Sequence, residues 1–414
     1  MKEKIHILHI AASISTNSAA GRLCLALRSV GCRITTLAAF PPPLEDGLFF
    51  SKKIWQSTLR SRLGKIPLYL YPRRKKDMPW STPFWGNDLE KWVKIVQPDL
   101  IHLHWTAAST INVRNLYKLH IPIVWTFHDV WPITAGCHCN EECTQWRTGC
   151  STCPQLGNSI LGFNISRLIW DYKRRSFNKA KIDVICPSKW IAKMASESPL
   201  WIDKDIHILG NALDTNTFSP VNKIEMRHLW GLPIDTPVIL FGATTTSLPY
   251  KGFDLLLQAL NHLKCQDIKA HIVIFGENTE KKDLPFPATY VGYIHDSSKL
   301  SSLYSSADVL VAPSRQENLP TTVIEACSCG LPCVAFSVGG IPEIIIHNTS
   351  GYIAQKFDTN DLAYGISYII KNKEIASKWG ENARKHILSN YDSKIIAHKH
   401  LNLYKNIITN RTKI

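Results

Sequence analysis

The chain has 414 residues, 45% of them apolar, enough for two domains with cores of ordinary size. No run of the roughly 18 apolar residues that a membrane-spanning helix needs occurs. The formal net charge of +15 points to an anionic partner: nucleic acid, acidic lipid or a phosphorylated substrate. No zinc-finger, RNA-recognition or helix-turn-helix signature accompanies it, which sets nucleic acid aside.

The opening residues, MKEKIHILHIAAS, read as a first strand over Ile5–Ile10. They lack the long apolar stretch and cleavage site of a leader, so a cytoplasmic protein is expected. Asn17–Leu27 (NSAAGRLCLAL) is a small-residue turn entering a helix over Ala19–Val30. It is not G-x-G-x-x-G, so it is no dinucleotide fingerprint. Its small residues Ala20 and Gly21 suit either close approach of a ligand or plain helix–sheet packing. From Lys52 to Lys76 there are nine Lys or Arg and no acid, mixed with Trp55, Leu59, Leu63, Ile66, Tyr69 and Tyr71. That mixture suits an anionic membrane surface; a solvated loop is the alternative.

Further strands are expected over Arg33–Leu37, Asp99–His104, Ile121–Phe127 and Asp183–Cys186, with helices over Leu89–Val96, Ile111–Leu119 and Ile165–Ala180. Near-continuous apolar strands alternating with helices predict a parallel sheet covered on both faces. His102 and His104 end one of these strands, and His128 and Asp129 end another, where an imidazole can donate a hydrogen bond or exchange a proton with a ligand. A lone His is more often structural. Next comes a cluster, C-H-C-x3-C-x6-C-x2-C, from Cys137 to Cys153, while the other seven cysteines are scattered. Dispersed cysteines fit a reducing compartment, where a tight cluster reads as a metal site. A structural zinc on Cys137, Cys143, Cys150 and Cys153 is expected. His138 or Cys139 are substitutes for Cys137, and disulfides or free thiols are the alternatives. Asp203-Lys204-Asp205 has the D-x-D spacing of a cation site but lies near the domain boundary, away from the other loops.

That boundary falls near Gly210–Pro220 (GNALDTNTFSP). Beyond it strands are expected over Val238–Phe241, His271–Phe275, Thr289–Val291, Asp308–Ala312, Cys333–Phe336 and Tyr352–Ala354. Helices are expected over Phe253–His262, Ser297–Ser306, Thr321–Ser328, Asp361–Lys371 and Glu374–Leu388, with a final one after Lys394. The architecture is two Rossmann-like α/β domains, 1–210 and 211–391, facing across a cleft, with a helix in 392–414 completing the first. Lys251-Gly252 opens a helix after one strand, where a Lys reaches phosphate and Gly lets backbone approach. After another strand comes APSRQENLPTTVIEACSCGLPCVAFSVGGIPE, from Ala312 to Glu343. Its polar loop delivers backbone N–H groups at a helix N-terminus on the C-terminal edge of a sheet, where open α/β folds bind anions. Glu317 and Glu325 flank that site and read as acceptors for sugar hydroxyls on either side of a phosphate.

This stretch resembles the signature of retaining glycosyltransferases of family 4, matching their E-x7-E motif at Glu317 and Glu325. KGFDLLLQAL, GYIHDSSKLSSLYSSADVLVAPS and ILGNALDTNTFSP extend the likeness over most of the C-terminal half. PDLIHLHW and TFHDVWPITAGCHC…C…CSTCPQL resemble a bacterial subgroup acting in surface-polysaccharide assembly. The resemblance implies the GT-B fold and transfer, with retention, from a nucleotide-sugar donor (UDP- or GDP-sugar) to a glycan or polyprenyl-diphosphate-linked acceptor, with no cofactor for the chemistry. By it Glu325 would bond the ribose and Glu317 the donor sugar. Asn318 and Leu319 amides would hold the diphosphate, which Lys251 neutralises. His128 would bond a sugar hydroxyl near the reacting carbon, and Ala20 and Gly21 would lie against the donor. Two departures stand out: Thr245 where many members carry an Arg, and Asn318-Leu319 where many carry Gly and an aromatic. A GT-B sugar-nucleotide epimerase and a catalytically lapsed nucleotide- or membrane-binding homologue are the competing readings.

Overall fold

The computed structural model describes residues 4–40, 49–51, 54–245, 248–277 and 283–412. The chain divides into two units, 1–210 with 396–414, and 211–395. The first holds a seven-stranded sheet of β1 (His6–Ala11), β2 (Arg33–Ala38), β3 (Phe49–Ser51), β4 (Leu100–Leu103), β5 (Ile123–Thr126), β6 (Ile182–Cys186) and β7 (Ile206–Ile208). Its spatial order is β3-β2-β1-β4-β5-β6-β7, every pairing parallel. The second unit holds β8 (Val238–Thr245), β9 (His271–Glu277), β10 (Ala288–Gly292), β11 (Val309–Ala312), β12 (Cys333–Phe336) and β13 (Gly351–Ala354). They are again all parallel, in the order β10-β9-β8-β11-β12-β13.

Both orders reverse direction once, between β1 and β4 in one sheet and between β8 and β11 in the other. Ligands of open α/β sheets bind at that reversal, beyond the carboxyl ends of the strands. Strands at or next to the reversals are buried on both faces: β1, β4, β5 and β12 are buried at every residue. Such strands have no polar face, which is why they read as continuous apolar runs.

Helices start where a side chain can accept the orphan amides of the first turn. Ser18 accepts from Gly21, Asn164 from Arg167, Ser188 from Ile191 and Asp358 from Asp361. The segment expected as a helix over Ile111–Leu119 is instead a 3-10 helix, Val113–Lys118, capped by Asn112. Its buried residues, Val113 and Leu116, are three apart, and three residues per turn puts them on one face. A helix over Ile54–Lys65 continues into a 3-10 turn over Ile66–Leu70. Lys52 and Lys53, which open the basic run, lie outside the described residues. Among the described residues no helix is long and apolar enough to cross a membrane.

Core packing in the first unit centres on Trp125, Phe127, Phe177 and Trp201, whose rings meet at 4.5 to 5.9 Å between centroids. The final helix, Ser393–Thr412, belongs to this unit from Ile396 on. Its Tyr404 is fully buried and its hydroxyl bonds His102 Nδ1 at 2.7 Å.

Candidate active site

In the second unit, Lys251 follows β8 and the 313–320 loop follows β11, so both lie at the reversal. Lys251 Nζ donates to Glu317 Oε1 at 2.6 Å, and Ser314 Oγ donates to the same oxygen at 3.0 Å. Both bonds fall on Oε1, which leaves Oε2 as the Glu317 oxygen for a ligand. Neighbouring turns clamp the loop from either side. Gly252 has φ +72°, and a Cβ there would stand 1.9 Å from the Pro313 carbonyl oxygen. Gly339 has φ +55°, and a Cβ there would stand 1.5 Å from the Glu317 carbonyl oxygen. Only glycine permits either approach. On the β8 side the Arg315 amide donates to Tyr250 O at 2.7 Å, and its guanidinium grips both Asp254 oxygens at 2.7 and 2.6 Å.

The helix Thr321–Ser328 begins at Pro320, and no side chain caps its first amides. Unsatisfied amides and the helix dipole make that end attractive to an anion. Val323, Ile324 and Cys327 face the core. Glu325, one turn in, is 3% exposed, and its Oε2 accepts from Tyr304 OH at 2.8 Å. A buried carboxylate is costly without a donor, and Tyr304 supplies one. The Leu319 side chain is buried in the same core, while its carbonyl accepts from Asn211 Nδ2 at 3.3 Å.

In the first unit, His128 stands just past β5, its ring 5.3 Å from that of His104. Burial lowers its pKa to about 4, with Asp129 pulling the other way, so the ring is neutral at physiological pH. Asp129 accepts from His138 Nδ1 at 2.6 Å, Trp105 Nε1 at 2.7 Å and the Trp131 amide at 2.9 Å. Burial pushes its carboxyl up, but those three donors together outweigh it and hold the pKa below the ordinary value.

His138 comes from the cysteine-rich loop, and its Nε2 meets Ser81 Oγ at 2.7 Å. Both its nitrogens are engaged, which takes it out of the set of metal ligands. Cys137, Cys143, Cys150 and Cys153 line one small cavity of about 20 Å³, and Cys139 does not. Thr134 Oγ1 donates to the Cys137 carbonyl oxygen at 2.8 Å, and burial pushes the thiols of Cys137, Cys143 and Cys150 up from their ordinary pKa. No disulfide joins any of the five cluster cysteines. Among the described residues, His9, His102 and His104 are the one trio of metal-capable side chains whose ligand atoms lie within 4.8 Å of one another. The cysteine sulfurs stand wider. Lys173, fully buried, donates to Trp131 O at 2.6 Å and Thr134 O at 3.0 Å beside this loop.

Ala20 is buried with Ala11 and Ile14, and a Cβ on Gly21 would stand 1.9 Å from the Ser15 carbonyl oxygen. Helix–loop packing thus accounts for both residues locally. Asp203 and Asp205 precede β7, at the amino-terminal edge of the sheet, opposite the edge that carries His128. Thr245 ends β8, paired with Glu277. A cavity of about 630 Å³ in the second unit lies among Arg227, Pro237, Asp308 and Pro332. Pro237, Asp308 and Pro332 each immediately precede a strand, so it sits at the wrong edge for Lys251 and Glu317.

Sequence reading missed Tyr304, Ser314 and Gly339. Tyr304 sits in a serine-rich helix and is distinguished only by its bond to Glu325. Nothing in the sequence marks Gly339 as the turn that touches Glu317.

Residues 17–217 match the model described as Glycosyltransferase Family 4, and residues 225–386 match that described as Glycosyl transferases group 1. A D-inositol 3-phosphate glycosyltransferase of Xylanimonas cellulosilytica is 30% identical over 169 residues, 37% of this chain and 40% of that protein. The matched stretch thus spans well under two thirds of that relative. A putative colanic acid biosynthesis glycosyl transferase of Escherichia coli is 26% identical over 286 residues, 64% of this chain and 67% of that protein. The crystal structure of Anabaena HepE in complex with UDP-glucose superposes with a TM-score of 0.64 at 16% identity, covering 97% of this chain and all of that one. Two doubly wound parallel sheets and this superposition give the GT-B fold, and both halves of the chain are similar to glycosyltransferases.

Proposed function

We propose that the protein is a retaining glycosyltransferase that moves a sugar from a nucleotide-sugar donor, UDP- or GDP-linked, to a glycan or lipid-linked glycan in cell-surface polysaccharide assembly. The observation that carries this reading is the Lys251–Glu317 pair beside an uncapped helix N-terminus, one helical turn from a buried Glu325. Charge develops on the diphosphate as the bond to the sugar breaks. A fixed cation and fixed amide dipoles stabilise that charge without reorganising, which lowers the barrier. Glu325 takes the ribose hydroxyls, Glu317 Oε2 takes a sugar hydroxyl, and Lys251 with the amides of Asn318 and Leu319 takes the diphosphate. His128, a neutral ring, donates to a hydroxyl of the donor sugar. The acceptor's proton leaves to the departing phosphate oxygen on the same face, which gives retention. The HepE complex supports a UDP-sugar, and the colanic acid relative supports the polysaccharide role.

Two further assignments belong to this reading. A zinc ion held by Cys137, Cys143, Cys150 and Cys153 staples the loop that brings His138 to Asp129, next to His128. Four thiols lining one small cavity supply the number of ligands that a closed tetrahedral zinc shell takes. The inner face of an anionic membrane meets an apolar, basic patch. Leu59, Ile66 and Tyr69 are exposed there among Arg62, Lys65 and Arg73. The Ile160 amide bonds Leu70 O at 3.0 Å, which brings exposed Ile160, Leu161 and Phe163 to the same place.

Thermal-shift binding against UDP-, GDP-, ADP- and dTDP-sugars identifies the donor. Transfer to a purified acceptor, scored by anomeric configuration, then tests the reaction. Turnover of the sugar nucleotide without any acceptor, or Glu317→Ala and Lys251→Ala enzymes at full activity, would defeat the reading.

A further inference from the structure

Three neighbouring strands bring histidines to one edge of the first sheet. His9 lies on β1, His104 directly after β4, and His128 just after β5. Because β1, β4 and β5 are adjacent, the rings form a row. His9 Nδ1 meets His104 Nε2 at 2.8 Å, and His104 Nδ1 meets His128 Nε2 at 3.0 Å. The ring planes differ by 12° and 28°. His9 and His104 are buried, and the far end of the row, His9 Nε2, is buried with no hydrogen-bond partner.

Proton counting fixes the direction of this row. Burial keeps all three rings neutral, so they carry three N–H protons on six nitrogens. Two protons occupy the two interior bonds. The third must sit at one end, on His9 Nε2 or on His128 Nδ1. On His9 it would be a buried donor without an acceptor, which is the costlier kind of orphan; an unpaired lone pair there is tolerated more readily. The third proton therefore belongs on His128.

We propose that the row His9–His104–His128 locks His128 as its Nδ1–H tautomer, with Nε2 held as an acceptor from His104. His104 and His9 are then positioning residues. The proton of His128 is then on Nδ1, and a bond that His128 makes through Nδ1 is made as a donor, not as a base. The row is no proton conduit, because its inner end stops at His9 Nε2. Nor is it a metal site. His102, third member of the trio, already spends Nε2 on Thr126 Oγ1 at 2.7 Å and Nδ1 on Tyr404 OH at 2.7 Å. The tautomer follows from the first unit alone; only its use on a donor sugar rests on the proposed function.

Long-range 1H–15N correlation spectra of the full chain, with 15N-labelled histidine, read the tautomer directly at pH 7.5. His128→Gln assigns the signals. The expected result is a pyrrole-type Nδ1 and a pyridine-type Nε2 on His128. A protonated Nε2, or a stoichiometric metal in the purified protein that perturbs these rings, overturns the proposal. His104→Leu should release the tautomer and weaken sugar-nucleotide binding about tenfold, leaving the free nucleoside diphosphate unchanged. His104→Asn, whose amide N–H replaces Nδ1–H, should restore both. Equal loss of both ligands in His104→Leu overturns the positioning role. Failure of the wild-type protein to bind any sugar nucleotide would instead sink the proposed function, with the tautomer still decided by the spectra.

Discussion

Four histidines of the first unit, His9, His102, His104 and His400, are at most 2% exposed. Burial holds all four neutral, His9 near pKa 3, His400 near 4 and the other two well below the ordinary value. In the unfolded chain each returns to about 6.5. The unfolded state therefore binds more protons below pH 6.5, and stability falls as the pH drops from there toward pH 4. Four such groups each cost about 1.4 kcal/mol per pH unit once the unfolded forms are protonated. Integrated from pH 7 to 5.5 the loss is about 5 kcal/mol, comparable to the whole stability of a marginal domain of about 5–15 kcal/mol. Most carboxylates titrate lower, so this window reports the histidines. Thermal melts at pH 7.5, 6.5 and 5.5, followed by tryptophan fluorescence because Trp125 and Trp201 lie in this unit's core, should show a steep fall. A melting temperature that is flat from pH 7.5 to 5.5 refutes the argument, since it would require these rings to be hydrated or charged in the native protein.

Gly339→Ala puts a Cβ 1.5 Å from the Glu317 carbonyl oxygen at φ +55°. The left-handed cost plus the strained bond from the Gly340 amide to Glu317 O make a loss of about 2–3 kcal/mol, read by urea melts, with a fall in donor affinity. Tyr304→Phe leaves Glu325 without its phenolic donor, so the Michaelis constant for the donor should rise about tenfold with little change in turnover number. Inductively coupled plasma analysis of protein purified without chelator should give one zinc per chain. Cys150→Ser should lose it and lower the melting temperature, while Cys265→Ser, at an exposed and isolated cysteine, should not. Leu161→Asp with Ile66→Asp should abolish flotation with vesicles rich in acidic lipid, leaving transfer to a soluble acceptor unchanged.

Strand β12 and the helices Ser297–Ser306 and Thr321–Ser328 were legible to the residue, because a buried parallel strand, the Asp296 cap of the first helix and the apolar stripe Val323, Ile324 and Cys327 of the second leave strong patterns. The short edge strands β3 and β7 were not, having three residues each and little apolar periodicity. The helix Lys189–Glu197 was missed although Ser188 caps it, because it is only nine residues long and two of the four residues it buries are alanines. Glu317, Glu325 and Lys251 were readable as a set, since strand order alone sends them to one edge. The histidines were not. His9, His104 and His128 are 95 and 24 residues apart, and each alone reads as an ordinary core imidazole. Only the strand order, which puts β1 beside β4 and β4 beside β5, shows that they touch.

The bond between Tyr404 and His102 joins residues 302 apart in one folding unit. A ribosome adds about 5–20 residues per second, so His102 waits roughly 15–60 s for its partner to be synthesised. During that interval residues 211–395 of the second unit are themselves being synthesised, and the first unit, its sheet complete only once residue 208 is made, lacks its last helix. The nascent first unit then carries a row of buried-to-be imidazoles with one face unsealed. That makes it the half on which a chaperone has time to act, and makes truncation before residue 396 a lesion of the amino-terminal unit, not of the carboxyl-terminal one.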